Sequence, residues 1–145
     1  MGRVVVVGLG PAGPEQLTAA ATSAIERIPR RFLRTTRHPA APAVEPAVSF
    51  DAVYESATSL DEVYAAIVDA LVEAALAEAA VVDTEAGGAA VLYAVPGSPS
   101  VAERTVELLL ADERVVVELV AGLSFTDLAW ARLGVDPVAA GVRLV

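Results

Sequence analysis

Apolar positions fall along this chain in two kinds of run. Four consecutive valines, Val4 to Val7, make a short β-branched run of the kind found in a strand buried on both faces. It ends in Gly8-Leu9-Gly10-Pro11-Ala12-Gly13-Pro14. Leu17, Ala21, Ala24, Ile25 and Ile28 then recur on one helical face, which predicts a helix with Pro14 near its first turn and Pro29 as its stop. Arg31 to Thr35 reads as a second strand. Residues 38–47 carry Pro39, Pro42 and Pro46 among alanines and read as an exposed loop. Ser59-Leu60-Asp61-Glu62 is a capping box ahead of a long amphipathic helix on Leu60, Val63, Tyr64, Ile67, Leu71 and Ala75, running to about Ala80. After a polar turn over Asp83 to Gly88, Ala89 to Val95 is another buried strand. Ser98 is expected to cap the next helix, with Pro99 at its first position and Val101, Thr105, Leu108 and Leu109 along it. Arg114 to Val120 is the last strand. Ser124 with Asp127 caps a final helix that Gly134 closes.

Strand, Gly/Pro turn and helix repeat in that order, which predicts parallel strands joined by helical crossovers. The fold class is a single three-layer α/β domain, with a mostly parallel sheet and helices on both faces. At 145 residues the chain has the length of one domain, and no internal repeat or low-complexity linker marks a second.

Composition narrows the chemistry. The absence of cysteine removes disulfides, thiolate metal sites and cysteine nucleophiles, and a single His38 builds no zinc site, so no metal is expected. The net charge of −9 argues against nucleic acid as a partner. Mean hydropathy is high at +0.57. Yet the longest charge-free stretch, Ala86 to Ala102, is broken by glycine, proline and serine, so no membrane partner is expected. The N-terminus runs from Arg3 into strand and turn signals without a signal-peptide pattern, and the expected location is cytoplasmic. All ten basic residues are arginine, and Arg27, Arg30, Arg31, Arg34 and Arg37 cluster just ahead of His38. The first three read as a solvated helix end. Arg34, Arg37 and His38 lie at a strand end, where they read either as surface charge or as a clamp for an anionic small-molecule substrate. Tyr64 reads as core, and Trp130 as an anchor for a partner.

Three turns follow buried strands and open helices: Gly8 to Pro14, Pro96 to Pro99 and Gly122 to Ser124. Ligands of open parallel sheets bind at the carboxyl ends of strands, so the three turns are expected to meet on one small molecule. Gly8, Gly10 and Gly13 spell the G-x-G-x-x-G of a dinucleotide site. Against that reading, the second strand ends in Arg34-Thr35-Thr36-Arg37 with no acid for a ribose, and Pro11 and Pro14 remove amide donors, although Arg34 would suit a 2′-phosphate.

Val7-Gly8-Leu9-Gly10-Pro11 followed by Pro14-Glu15-Gln16-Leu17-Thr18 resembles the first motif of the tetrapyrrole (corrin/porphyrin) methylases, S-adenosylmethionine-dependent enzymes. Tyr93 to Thr105 looks like the branch fused to MazG-type nucleoside triphosphate pyrophosphohydrolases, as do Leu33-Arg34-Thr35, Arg37-His38-Pro39 and Gly122-Leu123-Ser124-Phe125. The resemblance runs along nearly the whole chain and is most specific over Val95 to Thr105. It implies S-adenosylmethionine held by Pro96, Gly97, Pro99, Ala102, Gly122, Leu123 and Ser124, its carboxylate on helix-start amides near Gly97 to Ser100. Substrate would lie near Gly8, Gly10, Pro11, Arg34, Arg37 and His38. No side-chain base is implied, and no catalytic residue is assigned. The resemblance also implies a homodimer and a two-domain fold of which residues 1–145 are the N-terminal part, separated from a C-terminal methylase domain and from any MazG domain. Two departures stand out: Ala12-Gly13 replaces the Gly-Asp of the family's first loop, and Glu73 and Glu78 do not form a Glu-Glu-x-x-Glu pattern. A second function is therefore kept open, a non-catalytic ligand-sensing or dimerising module attached to a pyrophosphohydrolase. A dinucleotide-binding domain is the third.

Overall fold

The computed structural model describes residues 1–81 and 89–143. Its centre is one five-stranded sheet in the order β3-β2-β4-β1-β5, with every pair parallel. The strands are β1 (Gly2–Gly8), β2 (Arg31–Leu33), β3 (Val48–Ser49), β4 (Val91–Val95) and β5 (Val115–Val120). The helices are α1 (Ala19–Arg27), α2 (Asp51–Ser56), α3 (Leu60–Val81), α4 (Arg104–Leu110) and α5 (Phe125–Leu133). The polar turn expected over Asp83 to Gly88 lies outside the described residues.

The β-branched runs became the central strands because both of their faces are covered. Val4 and Val6 face one apolar cluster, where Ile67, Leu71, Val72 and Ala75 of α3 and Val106 and Leu109 of α4 pack on the sheet. Val5 and Val7 face the other, against Ala21, Ala24 and Ile25 of α1 and the segment Ala40, Ala41 and Val44. Residues 38–47 are thus not a wholly exposed loop: Ala40, Ala41 and Val44 are buried, because a short 3-10 turn over Ala41–Ala43, capped by Ala40 and Val44, turns these small or branched side chains onto the core.

Other boundaries moved for identifiable reasons. The region after β1 is a 3-10 turn over Pro14–Gln16, and α1 starts only at Ala19, where the Thr18 side chain accepts a hydrogen bond from Ala21 N–H. Leu60 is exposed, although its spacing put it on the apolar face of α3. Glu62 N–H donates to Ser59 Oγ at 3.3 Å, while the Glu62 carboxylate accepts from Thr58, so the capping pair is shifted by one residue. The last helix is capped as its sequence predicts: Ser124 and Asp127 form a reciprocal capping box, and Gly134 ends α5 in the left-handed region.

Candidate functional site

The chain leaves β1 toward α1 on one face of the sheet and leaves β4 toward α4 on the other. β1 and β4 are neighbours, so their connections part in opposite directions and open a crevice at the strands' carboxyl ends.

The floor of that crevice is backbone. Gly8 ends β1, Gly97 follows β4 and Gly122 follows β5. A Cβ placed on Gly122 would lie 2.6 Å from Gly97 O and 2.9 Å from Gly8 Cα. No side chain fits at Gly8 or Gly122, and the three loops touch main chain to main chain. Gly10 and Gly97 then pair across the gap: Gly10 N–H donates to Gly97 O at 3.1 Å, and Gly97 N–H donates to Gly10 O at 2.9 Å. Both take positive φ, +74° and +66°, which explains glycine there.

Above this floor is a hollow of about 320 Å³. Of the residues expected near ligand, it brings together Gly10, Pro11, Arg34, His38, Pro96, Gly97, Ala102 and Ser124. Gly8, Pro99, Gly122, Leu123 and Arg37 do not line it. Gly8 and Gly122 lie in the glycine contact, and Arg37 is exposed and ion-paired with Glu55 at 3.0 Å. The sequence reading missed Ser98, Val101, Glu103 and Phe125, which do line it. Its lining combines the apolar side chains of Pro11, Pro96, Val101 and Phe125 with the polar ones of Arg34, His38, Ser98, Glu103 and Ser124.

The loop after β4 is longer than its capping signals imply. Ser98 does not cap a helix, and Pro99 is not at a first helical position, because α4 begins at Arg104 with Glu103 at its N-cap. Gly97 N–H is bonded to Gly10 O and Val101 N–H to Ser98 O at 3.1 Å. Helix-start amides near Gly97 to Ser100 therefore do not exist. Ala102 has φ 56°, a left-handed conformation that is unfavourable for any residue with a Cβ. The turn it makes brings Glu103 inward.

Glu103 is the buried acid of the site, its side chain only 5% exposed, and it forms an ion pair with Arg34, whose side chain is 31% exposed. Burial pushes the Glu103 carboxyl up, and the Arg34 guanidinium draws it back. Below them Thr105 Oγ1 and Tyr93 OH lie 3.3 Å apart in the core. His38 bridges two loops: Nδ1 accepts from Ala40 N–H at 3.1 Å, and Nε2 lies 2.9 Å from Gly10 O, which makes Nε2 the protonated nitrogen. Burial lowers its pKa, the Gly10 bond opposes that, and Arg34 adds to the lowering. His38 is a neutral tie between the segment after β2 and the Gly10 loop.

A smaller depression of about 250 Å³ lies on the far side of Arg34, lined also by Thr35, Arg37, Asp51, Tyr54 and Glu55. The hydroxyls of Thr35 and Thr36 and the Thr36 N–H, with Ser49, hold the Asp51 carboxyl well below the usual carboxylate range. Asp51 thereby fixes the end of β2 to the start of α2. Among the described residues no group of three or more His, Asp or Glu side chains is placed to hold a metal ion. None of the described helices is long and apolar enough to cross a membrane.

An open parallel sheet with a lined crevice where neighbouring crossovers part defines a doubly wound α/β domain. The sequence profile of the tetrapyrrole (corrin/porphyrin) methylases matches residues 3–145, and the chain belongs to that family. It is 35% identical over 144 residues to the uncharacterized protein YabN of Bacillus subtilis (strain 168), a match that covers 94% of this chain and 27% of YabN. Uroporphyrin-III C-methyltransferase from Thermus thermophilus superposes with a TM-score of 0.66 at 25% identity, covering 93% of this chain and 54% of the enzyme. The same Thermus thermophilus enzyme complexed with S-adenyl homocysteine superposes with a TM-score of 0.51 at 24% identity, over 85% of this chain and 46% of that one. The chain thus spans about a quarter of YabN and about half of the solved methyltransferase.

Proposed function

We propose that this chain is the first domain of an S-adenosylmethionine-dependent methyltransferase of the tetrapyrrole-methylase type, and that its crevice holds the methyl donor. The observation that carries this is the glycine contact: three loops from three strands meet main chain to main chain and line one hollow. Family membership and the Thermus thermophilus complex with S-adenyl homocysteine support the choice of ligand. The hollow suits such a group, since its lining mixes apolar and charged side chains, and its volume lies at the low end for a ligand pocket, about 300 to 1,000 Å³. A second domain would supply the rest of the enclosure.

Bound S-adenosylmethionine supplies an electrophilic methyl group on a sulfonium. The chain's own part is alignment: a floor held by the paired Gly10 and Gly97, with the apolar side chains of Val101 and Phe125 beside it. Of the remaining expected contacts, those from Ala102 and Ser124 to the donor and from Pro11 and His38 to the acceptor belong to this proposal, whereas Gly8, Pro99, Leu123 and Arg37 stand off the hollow and are not carried into it. Assembly as a homodimer and fusion to a MazG-type pyrophosphohydrolase also belong to this proposal.

Three observations favour a ligand-sensing module without turnover. Ala12-Gly13 stands in place of an acidic loop, Gly13 N–H donates to the Glu15 carboxylate at 3.2 Å, and Arg34 and His38 are each engaged internally. The dinucleotide reading loses ground, because Gly10 N–H is taken by Gly97 O and no α-helix opens before Ala19. Titration calorimetry of the full-length polypeptide with S-adenosylmethionine, S-adenosylhomocysteine and NADP tests the proposal. Binding of the first two without NADP is expected. NADP binding alone overturns it, and donor binding without methyl transfer to any porphyrin or corrin precursor selects the sensing module.

A further inference from the structure

We propose that Arg34 and Glu103 together form the recognition site for an α-amino-acid zwitterion, the ammonium-and-carboxylate end of the methyl donor. This rests on the donor reading above and assigns that end of the ligand to two side chains.

The two side chains come from segments far apart in the chain, Arg34 from the residue after β2 and Glu103 from the N-cap of α4. Both line the hollow, and they touch through Arg34 Nη1 and Glu103 Oε1. A guanidinium offers five N–H donors in a planar fork, and this contact uses one nitrogen. Among the described residues, no hydrogen bond is made by Arg34 Nε or Nη2, and no buried side-chain nitrogen or oxygen lacks a partner. The unused donors therefore face open space, toward the two hollows that Arg34 separates.

Glu103 is the acid on the wall of the larger hollow, and Ala102 adopts its left-handed turn beside it. A strained residue next to a buried charge persists only where surrounding contacts enforce both. Burying a charged pair is at best weakly stabilising, so stability alone is a poor reason to keep it at a ligand wall. A carboxylate and a guanidinium side by side present adjacent negative and positive ends. A ligand end with an adjacent positive and negative group matches that pattern in antiparallel sense, its carboxylate on the free Arg34 donors and its ammonium on Glu103. A ligand with a single negative group would find the Arg34 charge already balanced.

The probes are S-adenosylhomocysteine and 5′-methylthioadenosine, both neutral at sulfur and differing only in the amino-acid end. Calorimetry on the full-length polypeptide is expected to give about tenfold tighter binding of S-adenosylhomocysteine. In Glu103→Gln that gap is expected to close, through weaker binding of S-adenosylhomocysteine with 5′-methylthioadenosine within twofold of wild type. Arg34→Lys keeps the charge and loses the fork; it is expected to narrow the gap too, and it carries the test if a thermal melt shows that Glu103→Gln does not fold. Equal loss of both ligands, or an unchanged gap, overturns the inference and makes the pair a structural strut while the donor reading stands. If wild type binds neither probe, the donor reading itself fails and takes the inference with it.

Discussion

A single added methyl group probes the glycine contact. At Gly122 a Cβ would meet the Gly97 carbonyl and the Gly8 Cα inside normal contact distance, and both are main-chain atoms that cannot rotate away. Gly122→Ala is expected to destabilise the fold by about 1–3 kcal/mol, as overpacking does elsewhere, and to weaken ligand binding by shifting Gly97. Urea denaturation and calorimetry check both, and wild-type stability in that variant would mean that the loops do not touch. His38 is tested by pH. Its folded pKa lies below its ordinary value of 6.5, so the unfolded chain binds the extra proton more readily. His38 therefore contributes stability that is fully present above pH 6.5 and is lost as pH falls from there toward the lowered folded value. The raised carboxyl of Glu103 works in the opposite sense at lower pH, because there the folded state holds the proton more tightly than the unfolded chain does. The melting-temperature difference between wild type and His38→Gln isolates the histidine: it is expected to shrink from pH 7.5 to pH 5.5. A difference independent of pH would assign His38 no titrating role.

Elements were readable in the sequence where local pattern and tertiary burial agree. The valine run of β1, the apolar face of α3 and the Ser124-Asp127 box are each written within a few residues, and the structure keeps them. β3 and α2 are short, and what fixes them is Asp51 accepting hydrogen bonds from Ser49, two residues before it, and from Thr36, fifteen residues before it. The start of α4 was misplaced because Ser98-Pro99 carries the signals of a helix entry. Left-handed Gly97 and Ala102 hold the chain in turns until Glu103 instead. The candidate site divides the same way: its glycines and prolines stand out by type, whereas the Arg34–Glu103 pair joins residues 69 positions apart and has no local signature. The cap of α5 gives this scale its prediction. Ser124 Oγ accepts from Asp127 N–H, and Ser124 N–H donates to the Asp127 carboxylate at 2.8 Å. Ser124→Ala is expected to cost about 1 kcal/mol. Because Ser124 also lines the hollow, ligand binding should weaken with it. Ser124→Asn, which can still cap, should restore stability in a thermal melt.

Across the whole molecule, burial is uneven, and the unevenness runs through the site. β4 is buried at all five positions, and β1 at six of its seven. α5 buries none of its side chains, with Phe125 65% and Leu133 73% exposed. Local opening follows buried contact, so the domain should consist of a stable half around β1, β4 and α3 and a weakly held rim at α5. Ser124 and Phe125 sit where the two halves meet on the hollow. A ligand seated there adds contacts to the rim and none to the interior of β4, and a ligand stabilises only what it helps to hold. Amide hydrogen exchange on this chain should therefore show α5 exchanging orders of magnitude faster than β1 and β4 without ligand. Adding S-adenosylhomocysteine should slow the first turn of α5 selectively and leave the already slow β4 amides unchanged. Protection of α5 equal to that of β4 in the free protein would contradict the division into two halves. Slowing confined to regions away from residues 122–127 would place the ligand somewhere other than the crevice.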